Sequence, residues 1–139
     1  HAGKYKTEQN FIVGSEHATT PPDKVPDAVK KMIMWAEKDQ KKLHPVEFAA
    51  AIHNKIVDIH PFADGNGRTA RLLLNLILLN KGYFIVTIPP VLRHEYISSI
   101  EKSRRQGNAA AMTEFIGECE LESIRDRYRL LGEKLPTYK

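Results

Sequence analysis

The sequence predicts an all-α fold carrying one short N-terminal β-hairpin, and three observations predict it. Apolar residues recur at helical spacing through most of positions 23–131. The stretch Leu72-Leu-Leu-Asn-Leu-Ile-Leu-Leu79 is apolar on every side, as expected of a central buried helix in a bundle. Residues 1–22 lack any helical period and are β-prone around a Gly-Ser turn. The chain of 139 residues is therefore read as a single domain. Residues 1–22 form a strand-and-flap region and residues 23–139 the helical body.

Within the flap, Asn10-Phe-Ile-Val13 reads as a strand, Gly14-Ser-Glu16 as a turn and His17-Ala-Thr-Thr20 as the returning strand, ended by Pro21-Pro22. A lone two-stranded hairpin is marginal in water, so it should lie on the helical body or await a partner strand. Asp23 can cap a first helix whose inner face holds Val25, Val29, Met32, Ile33 and Trp35-Ala36. Pro45 suits the start of a second, with Phe48, Ala49, Ile52, Ile56 and Ile59 inward. Pro61 disfavours helical geometry at His60 and should end it there. The third helix opens near Asn66–Arg68 and closes at Lys81-Gly82, a terminal cation followed by glycine. After Pro89-Pro90, Glu95–Arg105 and Met112–Leu131 read as two more amphipathic helices.

Composition narrows the function classes. Apolar residues are 42% and charged residues 27%, the balance of an ordinary globular chain. The net charge of +4 is mildly basic, but no Lys/Arg block stands apart, so nucleic acid is not an expected partner. A few cations gathered at one place would suit a nucleotide phosphate better. One cysteine, Cys119, excludes an internal disulfide framework and a cysteine-based zinc site, and reads as a small partly buried hydrophobe. No stretch reaches the roughly eighteen apolar residues of a membrane span. With no apolar signal region either, a cytoplasmic location is expected. The chain opens at His1 without methionine, which points to a piece of a longer protein.

The chemistry concentrates where the third helix begins. Asp64-Gly-Asn-Gly-Arg68 places two glycines in a loop that runs straight into a helix. Glycines let successive backbone N–H groups converge on an anion, and the helix N-terminus adds partial positive charge. Arg68 and Arg71 share a face of the first turn, where two cations oppose the helix dipole unless an anion completes the arrangement. Alternatively, both pair with carboxylates such as Glu47 or Glu95. Asp64 is placed to hold Mg²⁺ on bound phosphates, or simply to make an Asx turn. His60 could act as a general base, although a helix C-terminus favours its protonated form and a counter-effect would be needed. Two rival motifs are weaker. Gly65-Asn-Gly67-Arg-Thr-Ala70 formally fits a dinucleotide fingerprint but follows a helix rather than a strand. A metal-dependent phosphohydrolase could use His53, His60 and Asp64, but the chain has no His-Asp dipeptide, and His53 beside Ile52 and Ile56 reads more simply as a packing residue.

The segment His60-Pro-Phe-Ala-Asp-Gly-Asn-Gly-Arg-Thr-Ala-Arg71 resembles the H-x-F-x-[D/E]-G-N-G-R-x-x-R signature of the Fic family of protein adenylyltransferases at every fixed position. Gly3-Lys-Tyr5, Val13-Gly14, His17, Pro21-Pro22, His44-Pro45, His53 and Gly82-Tyr83 extend the likeness over roughly residues 3–120. The resemblance implies a Fic-type helical bundle that moves AMP from Mg-ATP to a Tyr, Ser or Thr hydroxyl of a target protein. It implies His60 as base, Phe62 as the anchor of the loop in the core and Asp64 as the Mg²⁺ ligand. Gly65, Asn66 and Gly67 would cradle the phosphates, with Arg68 on the departing phosphates and Arg71 on the γ-phosphate. Tyr96 is a candidate for the adenine pocket, and the flap at Ile12, Val13 and Gly14 would register a target segment by strand addition. Gly67-Arg68 in place of Asn-Lys separates the chain from the Doc branch, which phosphorylates. The family's inhibitory motif, [S/T]-x-x-x-E-[G/N], does not occur in the chain. An upstream segment or a partner chain would supply it, with Arg71 as its contact, or the domain is unrestrained. Alternatives are transfer of another nucleotide or phosphate-linked group, removal of AMP, or an idle nucleotide-binding or interaction module.

Overall fold

A computed structural model describes residues 2–137, and the described residues form helices and irregular segments without a β-strand. The five α-helices are α1 (Val25–Asp39), α2 (Pro45–Ile59), α3 (Asn66–Asn80), α4 (Arg93–Gln106) and α5 (Ala110–Leu131). Short 3-10 turns at Pro22–Lys24 and Pro90–Leu92 lead into α1 and α4. The expected cap at Asp23 is thus replaced by a 3-10 entry without a side-chain cap bond. Ile33, expected to face inward on α1, is 49% exposed. Among the described residues no helix is long and apolar enough to cross a membrane.

The central buried helix is α2, which corrects the expectation for α3. Ten of the fifteen α2 residues are buried, among them Ala49, Ala50, Ile52, His53 and Ile56. Small residues at 49–51 let α1, α3 and α5 close around it, because a neighbour can approach where side chains are short. On α3 only the stripe Asn66, Ala70, Leu74 and Leu78 is buried, while Leu72 and Leu76 are 72% and 54% exposed. Within 72–79 only Asn75 interrupts the apolar run, its amide bonded to the Val86 backbone, so which leucines turn inward is set by packing on α2.

The N-terminal β-hairpin is also corrected. A tight turn forms at Ile12 to Ser15, ahead of the expected Gly14-Ser-Glu16, with the Ser15 N–H donating to the Ile12 carbonyl and Gly14 at φ 79°. The flanking segments run side by side but are joined by side chains. Thr19 Oγ1 donates to the Asn10 carbonyl at 2.7 Å, and Gln9 Nε2 donates to the Thr19 carbonyl at 3.1 Å. Backbone acceptors that a ladder would use are thereby taken. Buried Lys6 completes the knot, its ammonium donating to Asn10 Oδ1 and Thr19 Oγ1.

Candidate active site

The loop between α2 and α3 is built by the residues that break helices. His60 follows α2 in the left-handed region at φ 52°, an uncommon conformation for a residue with a Cβ that costs roughly 1–2 kcal/mol. Its N–H still closes the last helical turn on the Ile56 carbonyl, and Pro61 prevents continuation. Asn66 then organises the turn: its Oδ1 accepts from the Phe62 N–H and its Nδ2 donates to the Phe62 carbonyl, both at 2.8 Å. The same carbonyl accepts from Asn10 Nδ2, which ties the flap to the loop. Phe62 is half-buried and stacks on Tyr5, so it anchors the loop to the N-terminal segment rather than in the core.

At the entry to α3, Gly65 adopts φ 80° and no side chain caps the helix. The first intrahelical bond runs from Thr69 N–H to the Gly65 carbonyl, leaving the N–H groups of Asn66, Gly67 and Arg68 without a helical acceptor. A Cβ at Gly67 would stand 3.3 Å from Arg71 Nη1, so glycine there gives the second arginine its space.

A cavity of about 340 Å³ opens over this turn, lined by His60, Asp64 through Arg68 and Arg71, with Asn10 and Phe11 closing the flap side. All the motif residues expected to act on nucleotide therefore meet at one place. Asp64 and Arg68 form an exposed ion pair at 3.2 Å, with 92% and 71% of their side chains accessible. Such a pair is worth ~0–1 kcal/mol and rearranges readily. Asp64 Oδ1 also accepts from the Gly65 N–H at 2.6 Å. Arg71 makes no ion pair among the described residues, and neither arginine pairs with Glu47 or Glu95.

His60 is prepared as a neutral imidazole. Its Nδ1 lies 3.1 Å from the Val57 carbonyl, which can only accept, so Nδ1 carries the proton and Nε2 keeps the lone pair. Burial lowers its pKa, and the charges of Lys6, Arg104 and His17 lower it further against the opposing carbonyl bond. This is the counter-effect that a base at a helix C-terminus requires.

Two residues singled out in the sequence stand apart from the cavity, Tyr96 as the adenine-pocket candidate and His53 as a packing residue. Tyr96 is only 7% exposed and lies behind Arg71, whose guanidinium carbon is 5.9 Å from the ring centroid. His53 is fully buried in α2, and both of its ring nitrogens are engaged, by Asn54 and by Tyr96. No cluster of three or more His, Cys, Asp or Glu converges among the described residues. Ile12 packs against the core, whereas Val13 and Phe11 project from the flap at 101% and 77% exposure. Asn10 and Phe11 were missed as cavity residues, since only the bond from Asn10 to the Phe62 carbonyl, some fifty positions away, ties their segment to the loop. Arg104 steadies the flap base by donating to Asp58 at 2.6 Å and to Ser15 at 3.1 Å. A larger cavity of about 580 Å³, lined by Trp35, Lys55 and Arg104 among others, contains none of residues 60–71.

Comparison with known proteins gives the family and the fold. The family model described as Fic/DOC family matches residues 1–78. A protein adenylyltransferase Fic from Nematostella vectensis is 38% identical over 129 residues, which is 88% of this chain but 28% of that protein. A Fic domain containing signaling protein from Bacteroides thetaiotaomicron superposes with TM-score 0.84 at 25% identity, covering 99% of this chain and 58% of the other. Fic-1 from C. elegans superposes with TM-score 0.82 at 32% identity, covering 94% and 38% respectively. The chain thus spans little more than a quarter of the length of the curated relative it matches.

Proposed function

The chain belongs to the Fic/DOC family, and on that premise we propose that it is a protein adenylyltransferase, transferring AMP from ATP to a hydroxyl of a target protein. The observation that carries this reading is the uncapped N-terminus of α3. Its three free N–H groups share one cavity with an unpaired arginine and a neutral histidine.

In this reading the backbone of Asn66, Gly67 and Arg68 receives phosphate oxygens, while the Asn66 side chain keeps the turn in shape. Arg68 exchanges its exposed partner Asp64 for the departing phosphates, and Arg71 meets the γ-phosphate. Asp64, freed by that exchange, is the one carboxylate lining the cavity among the described residues and suits Mg²⁺, which takes one or two carboxylates beside phosphate and water. Bound there, the ion would neutralise charge on the α- and β-phosphates. His60 Nε2 takes the proton of the incoming hydroxyl, whose oxygen attacks the α-phosphorus. The bond to the α,β-bridging oxygen breaks and pyrophosphate leaves. The turn at Ile12, Val13 and Gly14 follows the cavity-lining Phe11 and has no strand partner among the described residues, so a target segment can add there in extended form. Arg71 is also the group an inhibitory carboxylate would seek.

The test is label transfer. With Mg²⁺ and a target, α-labelled ATP should mark protein and γ-labelled ATP should not, and His60→Ala should lose the signal. Transfer from the γ-position alone would replace this reading with a kinase.

A further inference from the structure

Behind the cavity, a chain of buried polar groups ends on Arg71. Asn54 Oδ1 lies 3.0 Å from His53 Nδ1, and His53 Nε2 lies 2.8 Å from the Tyr96 hydroxyl. An amide oxygen can only accept, so Nδ1 bears the imidazole proton and Nε2 has none. The Tyr96 hydroxyl therefore donates its single proton to His53. Burial holds His53 down to about 4, which keeps it neutral, and burial also pushes the Tyr96 phenol up.

Both lone pairs of the Tyr96 oxygen and the face of its ring remain for a cation. Arg71 is the cation against that face, and the ring is fixed in turn by edge contact with His53 and by Phe115. The character of this support matters. A carboxylate would hold the guanidinium but cancel its charge, whereas a neutral phenol orients it and leaves the charge for an incoming anion.

We propose that Tyr96, held by His53, is a positioning residue that aims Arg71 at the terminal phosphate and so sets the preference of the cradle for a triphosphate over a diphosphate. The proposal rests on the reading of Arg71 given above. Tyr96 acts through Arg71, without touching the nucleotide.

The experiment measures calorimetric affinities of the chain for Mg-ATP and Mg-ADP in the wild type and in Tyr96→Phe, Tyr96→Leu, Arg71→Ala and the Tyr96→Phe/Arg71→Ala double variant. Tyr96→Phe keeps the ring and loses the hydroxyl. It should weaken ATP by about five-fold and leave ADP within about two-fold. Tyr96→Leu also loses the π face and should weaken ATP by about twenty-fold. Arg71→Ala should abolish the ATP preference, and adding Tyr96→Phe to it should change nothing further. Equal weakening of ATP and ADP in Tyr96→Phe, or no weakening, while Arg71→Ala still loses the preference, would overturn the role of Tyr96 alone. Retention of the preference in Arg71→Ala would overturn the reading of Arg71 beneath it. Thermal midpoints identify any variant that fails to fold, and Tyr96→Phe, which preserves the packing volume, decides between the outcomes in that case.

Discussion

Acidification should destabilise the fold through His53, and the size of the effect follows from its burial. The imidazole is fully enclosed in α2, donates to Asn54 and accepts from Tyr96, so the folded state has no place for a second proton. Its pKa falls from 6.5 to about 4, with desolvation as the largest cause and the Arg71 charge adding to it. Because the folded value lies below the unfolded one, the unfolded chain binds more protons between them. Stability is then complete above pH 6.5 and declines as pH falls towards 4. At ~1.4 kcal/mol per pH unit the full gap is on the order of 3 kcal/mol, with about 2 kcal/mol gone by pH 5. His53→Gln can keep the donor to Asn54 and the acceptor for Tyr96 while removing the titration. Urea unfolding of both proteins at intervals from pH 7 to pH 4.5 gives the comparison. The wild type should lose about 2 kcal/mol more than the variant over that range, whatever offset separates them at neutral pH. Parallel curves would refute the buried neutral histidine.

Further outcomes follow from the loop. Asn66→Ala removes two 2.8 Å bonds to the Phe62 backbone and should cost about 1–3 kcal/mol in thermal or urea unfolding, with nucleotide affinity falling as the turn loosens. His60→Gly relieves a left-handed backbone and should stabilise the fold by about 0.5–1 kcal/mol while abolishing transfer, a gain in stability paired with loss of activity. In the wild type the acid limb of the pH–rate profile should lie below 6.5, since burial and nearby cations lower the pKa of His60 and the base works only unprotonated. Gly67→Ala should raise the KM for ATP, because the new methyl presses on Arg71 Nη1 at 3.3 Å.

Much of the site was legible because its signals are local. Pro61 fixes where α2 stops, and Gly65 supplies the left-handed residue that lets α3 start, so the loop and its free N–H groups could be read in one short segment. What escaped the sequence depends on distant partners. The β-prone character of residues 10–13 reflects side-chain shape, yet Gln9 and Thr19 claim the carbonyls that a ladder would use. The apolar run at 72–79 implied burial without saying which side, and Leu72 and Leu76 face outward because α2 takes the centre. The setting of Tyr96 rests on His53, 43 positions away and on another helix.

The proposed chemistry depends above all on the start of α3 cradling the phosphates of a nucleotide. Backbone amide resonances of the ¹⁵N-labelled chain, followed during titration with Mg-ATP and separately with adenosine, probe that cradle residue by residue. The amides of Asn66, Gly67 and Arg68 should shift strongly with Mg-ATP and scarcely with adenosine. Saturable Mg-ATP binding that leaves those three amides unmoved would contradict phosphate binding at this helix end.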